Sequence, residues 1–170
     1  MNKIALGCSH TYGTGVEKHE AWPALLGAEN LGIEGISTDY IARKINKCLE
    51  QYNPNTVYIL WPNWTRFEYV VNGEYLQSTP NDSNRINLMK IATDDWLQNN
   101  FIVKRNQIIT ACKDIELIDM TFFDLHEYID YPDTWPISKL GHHYSEVWHQ
   151  WVADLFNTKA KCITDHRLFA

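Results

Sequence analysis

Two rhythms of apolar residues run along the chain. Ile4-Ala5-Leu6 is a short unbroken apolar run stopped by Gly7. Thr56-Val57-Tyr58-Ile59-Leu60-Trp61 is a longer one, β-branched and aromatic, closed by Pro62. Ile115-Glu116-Leu117-Ile118-Asp119 has the same character. Such runs predict strands buried on both faces. Between them the period changes. Asp39 to Tyr52 places Ile41, Ile45, Cys48 and Leu49 at helical spacing. Trp22 to Leu31 predicts a helix with Pro23 in its first turn, where a missing N–H does no harm. Arg85 to Lys113 predicts helix in one or two pieces, and a last helix runs from Ser145 to about Phe156. Asn30 to Thr38 predicts a short strand breaking into a glycine-containing turn. Alternating strands and helices imply an α/β fold, with a parallel sheet covered on both faces.

Phe67 to Leu76 departs from this alternation. Asn72-Gly73 sits between alternating apolar residues, the strongest short-range hairpin signal. A small hairpin excursion after the third strand is expected there, structural in role or a gate over a site.

Composition narrows the class. At 170 residues, with 45% apolar and 21% charged residues, one domain spanning 1–170 is expected. Seven Trp and nine Tyr exceed what such a core needs, so some are expected to line a groove or an interface, and a homo-oligomer stays open. The formal charge of −6, with no Lys/Arg run, argues against a nucleic-acid partner. Cys8, Cys48, Cys112 and Cys162 form no CxxC pair, so each reads as a small buried hydrophobe rather than a metal or redox group. Met1-Asn2-Lys3 leads straight into the first strand, without a signal peptide, and no apolar stretch approaches a membrane span. A soluble, cytoplasmic protein with no membrane partner is the expectation.

Four stretches carry candidate chemistry. Ser9 follows the first strand in Gly7-Cys8-Ser9-His10-Thr11. Gly35 sits in a turn after the second strand. Asn63 follows the third in Leu60-Trp61-Pro62-Asn63-Trp64. His143 precedes the last helix. A parallel sheet brings all four to one edge, where open α/β sheets bind ligands. Ser and His make a nucleophile and its base. A glycine N–H and an Asn amide are oxyanion donors. Each stretch alone reads more readily as a turn or a cap.

In this order the stretches resemble the SGNH hydrolases, the GDSL esterase/lipase family. Gly7-Cys8-Ser9 with Gly13 is similar to the family's Gly-Asp-Ser block. Asn30-Leu31-Gly32-Ile33-Glu34-Gly35 matches its Asn-x-Gly-x-x-Gly block in full. Asn63 matches the Asn of the third block. The last block falls on Leu140 to His149. The resemblance implies a flavodoxin-like three-layer α/β/α fold. It implies Ser9 as nucleophile, N–H groups of Ser9 and Gly35 with the Asn63 amide as oxyanion donors, and His143 as base. Ser145 then caps the last helix and His149 matches the block's second histidine.

The departures are informative. Cys8 and Trp64 replace acidic positions, and Leu140 stands where the triad acid belongs. In a Ser-His-Asp triad, losing the acid costs roughly 10⁴ in rate. Asp133 on the preceding loop is one candidate acid, and a backbone carbonyl orienting His143 is another. A register using Asp133 as the block's own acid puts Pro136 at the base position. His142 is an alternative base. His143 and His149 are six apart, not the three or four that one helical face needs for a metal, so neither metal nor cofactor is expected. His10, Trp61, Trp64, Arg66 and His142 are candidate substrate contacts. The resemblance implies a serine esterase for a small acyl ester, an acetylated carbohydrate among the candidates. The alternative is a catalytically weak module that binds carbohydrate or protein. A nucleotide binder is disfavoured because no Gly-Lys-Ser/Thr follows the glycines.

Overall fold

The computed structural model describes residues 2–78, 93–121 and 144–167, with side chains of the last segment to residue 159. Three of its strands arise from the apolar runs. β1 (Lys3–Gly7), β3 (Thr56–Trp61) and β6 (Glu116–Thr121) lie parallel, with β2 (Glu29–Asn30) on the outer side of β1. The order is β2-β1-β3-β6, and Gly7 lies opposite Leu60.

All six residues of β3 are buried, because its two faces feed two separate cores. Val57, Ile59 and Trp61 pack with Ile4, Leu6 and Cys8 against α3 (Thr38–Tyr52) and α4 (Asp94–Ala111). Tyr58 and Leu60 pack with Ala5, Ile118 and Met120 against α2 (Trp22–Leu25) and α5 (Glu146–Arg167). Helices on both faces of a parallel sheet give the expected three-layer α/β/α architecture.

The hairpin forms as predicted. β4 (Phe67–Val71) and β5 (Glu74–Ser78) pair antiparallel, and Asn72 and Gly73 take positive φ of 52° and 84°, as a tight two-residue turn requires. It is bolted to α3. Arg43 gives Glu68 hydrogen bonds of 3.0 Å from Nε and 2.6 Å from Nη2, with its guanidinium 4.2 Å from the Tyr75 ring centroid. The bond to Glu68 raises the Arg43 pKa further. The Glu68 N–H donates to Asp39 Oδ2, and Gln77 Oε1 accepts the Ser37 N–H at 2.9 Å. These contacts favour the structural role over the gate.

Several expectations need correction. The helix expected over 22–31 is four residues long. Gly27 turns left-handed at φ 64°, the Ala28 N–H bonds to the Pro23 carbonyl, and Glu29 and Asn30 pair with β1 instead. Pairing with the sheet outweighs the helical period of Leu25 and Leu26. The last helix continues eleven residues past Phe156, to Arg167. Ser145 caps it through its carbonyl, which accepts the Trp148 and His149 N–H groups. Its hydroxyl is buried and has no hydrogen-bond partner among the described residues. The surplus of aromatics goes partly inward: Trp22, Trp61 and Trp148 are each at most 1% exposed. Residues 85–92 of the expected long helix lie outside the described residues.

Cys8, Cys48 and Cys112 are free thiols, with Cys8 and Cys112 buried in the α3/α4 core. Burial pushes the Cys112 thiol up to about 11, so it packs as a neutral hydrophobe. No helix among the described residues is long and apolar enough to cross a membrane.

Candidate active site

The site is built on the abrupt end of β1. Gly7 closes the strand because a side chain has no room there. A Cβ would stand 2.1 Å from Thr11 Oγ1 and 2.6 Å from the Leu60 carbonyl oxygen. The chain then winds one helical turn, α1 (Ser9–Tyr12), ended by Gly13 in the left-handed conformation at φ 91°. The Cys8 carbonyl accepts the Thr11 and Tyr12 N–H groups, and the Ser9 carbonyl accepts those of Gly13 and Thr14. The opening N–H groups of such a turn have no intrahelical acceptor. Cys8 lies under the turn, buried, and Ser9 is 7% exposed.

The Asn30–Gly35 loop is fastened to this turn. Asn30 Nδ2 donates to the Thr11 carbonyl at 2.9 Å and the Tyr12 carbonyl at 3.2 Å, while its Oδ1 accepts the Gly32 N–H at 3.0 Å. Gly32 then lies directly on the turn's backbone, where a Cβ would meet Tyr12 N at 2.4 Å. Thr14 Oγ1 donates to Glu34. Along β1, the Leu31 N–H bonds to the Ala5 carbonyl and that of Ile33 to Gly7. Gly35 follows at φ 76°, half-buried, and the Ser37–Gln77 bond ties the loop's far end to the hairpin. We expect Asn30→Ala to lower unfolding stability by about 2 kcal/mol in urea denaturation, since it strips one amide of three partners.

Asn63 is exposed, three residues past Leu60 and so on the same sheet edge as the Ser9 turn. Its Oδ1 accepts the Thr65 N–H at 2.9 Å and its carbonyl accepts that of Arg66. With Oδ1 committed to the turn, Nδ2 is the end of the amide left for another acceptor. Trp64 and Arg66 are half-buried in this turn.

Trp61 is not a substrate wall. It shares a face of β3 with Ile59, 1% exposed in the core and edge-on to Phe101. Its Nε1 donates to Asp119 Oδ2 at 2.7 Å, an oxygen that also accepts from Arg105 Nε and Nη2. Asp119 is thus the polar anchor beneath the Asn63 turn. An acid between Ile118 and Met120 was its only signal in the sequence.

His10 is half-buried, stacked on Tyr144 at 5.5 Å between centroids and tilted against Trp148 at 5.3 Å. Tyr144 in turn stacks on Trp148 at 4.9 Å. The start of the last helix is thereby brought to the residue beside Ser9. His149 is 1% exposed, and its Nδ1 accepts the Trp22 N–H at 3.3 Å, holding α5 to α2. His142, His143, Asp133 and Leu140 lie outside the described residues.

No protein-family model matches the sequence, and no curated protein matches it. Solved structures do match. The family 3 carbohydrate esterase of Clostridium thermocellum is 16% identical, with a TM-score of 0.59 over 96% of each chain. The structure of TesA is 14% identical, with a TM-score of 0.53 over 95% of this chain and 98% of that one. A G-D-S-L-family protein from Desulfitobacterium hafniense DCB-2 is 15% identical, with a TM-score of 0.48 over 90% and 95%. At these identities the likeness shows the fold, and that fold is SGNH hydrolase-like.

Proposed function

We propose that this chain, with its SGNH hydrolase-like fold, is a serine esterase for small acyl esters. Ser9 attacks the ester carbonyl and His143 takes its proton. The N–H groups of Ser9 and Gly35 and the Asn63 amide hold the oxyanion. The alcohol leaves with the proton from His143, and water then releases the acid from the acyl-serine. The observation that carries this reading is the Asn30 clamp. A loop whose only task was to turn would not need its Asn side chain hydrogen-bonded to two carbonyls of the serine turn and its own Gly32 N–H. Such fastening is what preorganised oxyanion donors require. Tyr144, next in sequence to His143, packs on the residue next to Ser9, which supports the pairing of base and nucleophile. Asp133 or a backbone carbonyl orients the imidazole. His142, Trp64 and Arg66 are proposed substrate contacts, with His10 at the rim.

The substrate class proposed is an acetyl-type ester, with acetylated carbohydrate first among candidates. A described relative of the same fold is a carbohydrate esterase. The test is a rapid-mixing burst assay with p-nitrophenyl acetate. We expect a burst near one equivalent of nitrophenol that is absent in Ser9→Ala. Equal release by both proteins would overturn the reading and leave a binding module. Asn63→Ala is expected to lower the acylation rate by about 10²-fold, as removal of one oxyanion donor does.

A further inference from the structure

A cavity of about 410 Å³ lies on the other side of the Asn30–Ile36 loop from the Ser9 turn, between that loop and α3. Neither Ser9 nor Asn63 lines it. Its floor is apolar and belongs to the α3/α4 core: Leu6, Ile36 and Ile41 are each at most 6% exposed. Ile33 forms an apolar lip at 43% exposure. Its volume falls at the small end of the ligand range of about 300–1,000 Å³.

The electrostatics of the wall are one-sided. Lys44 and Lys47, three residues apart on α3, both line the cavity, and among the described residues no carboxylate does. That is unexpected in a chain with 21 Asp and Glu against 15 Lys and Arg. Among the described residues neither lysine forms an ion pair. Cys48, also in the wall, is pushed up by burial and stays a neutral thiol at neutral pH. An apolar floor with two uncompensated cations on one rim is complementary to one kind of small molecule.

We propose that this cavity binds a single-chain amphiphile of the alkyl carboxylate class, with its chain on Leu6, Ile36 and Ile41 and its carboxylate between Lys44 and Lys47. The cavity shares the Asn30–Ile36 loop with the serine turn, but Ser9, Gly35 and Asn63 do not line it, so binding there does not depend on the esterase reading.

The experiment is a ¹H–¹⁵N correlation titration of the whole chain with hexanoate, octanoate and octanol, each below its aggregation concentration. Octanoate is expected to shift the amides of Leu31, Ile33, Lys44 and Cys48 saturably. Affinity is expected to rise about fourfold for each added methylene. The double variant Lys44→Gln/Lys47→Gln is expected to weaken octanoate about tenfold while leaving octanol unchanged. Ser9→Ala is expected to bind octanoate as the native chain does, which separates this proposal from the esterase reading. No saturable shift at these amides would overturn the proposal. So would shifts confined to the Ser9 and Asn63 turns, or octanol binding as tightly as octanoate.

Discussion

Gly32→Ala is expected to destabilise the fold by about 3 kcal/mol or more and to remove esterase activity from the protein that still folds. The new Cβ would stand 2.4 Å from Tyr12 N and 2.7 Å from the Thr11 carbonyl carbon, both backbone atoms. No rotamer relieves that clash, so the loop and the serine turn must separate. The Asn30 hydrogen bonds to Thr11 and Tyr12 go with them. Thermal unfolding with p-nitrophenyl acetate hydrolysis on the same samples reads both effects. A variant of native stability would mean that the loop is not seated on the turn. A destabilised variant with full activity would mean that its seating does not set up the chemistry.

Ser9→Ala and His143→Ala are each expected to lower kcat by up to about 10⁶-fold, and the double variant by no more than either single one, because nucleophile and base act as a unit. Stability should change little for Ser9→Ala. Its side chain is small, and its carbonyl, which accepts the Gly13 and Thr14 N–H groups, is kept. Steady-state kinetics on all three variants decide the point. Multiplying losses would indicate two independent roles. A wild-type rate in His143→Ala would move the base to His142.

Legibility followed the reach of each interaction. β1, β3 and β6 could be read because a strand buried on both faces is a continuous apolar run, and the hairpin because Asn72-Gly73 carries its own turn chemistry. α3 ran nearly as expected: Ser37 caps it through a 3.4 Å bond from the Tyr40 N–H, and Ile41 and Ile45 sit on its buried side. The α2–β2 segment could not be read. Its outcome depends on Glu29 and Asn30 meeting Ile4 and Ala5, a pairing some 25 residues away. Trp61 was misplaced for a related reason. An aromatic at a strand's end suits a pocket wall, but Trp61 lies on the core face with Val57 and Ile59, and its bond to Asp119 on the neighbouring strand cannot be read from the sequence. In the site, Ser9, Gly35 and Asn63 were visible as residues on one sheet edge. The fastening between their loops was not, because Asn30 reads as a motif letter until its amide is seen across the serine turn.

If Ser9 is a nucleophile held beside an oxyanion hole, a small fluorophosphonate will label it, as intact-protein mass spectrometry and peptide mapping can read. A single phosphonyl adduct on Ser9, absent from Ser9→Ala and from heat-denatured protein, is the predicted result. A chain that takes up no adduct, or that takes it up equally well without Ser9, would mean that Ser9 is not an activated nucleophile.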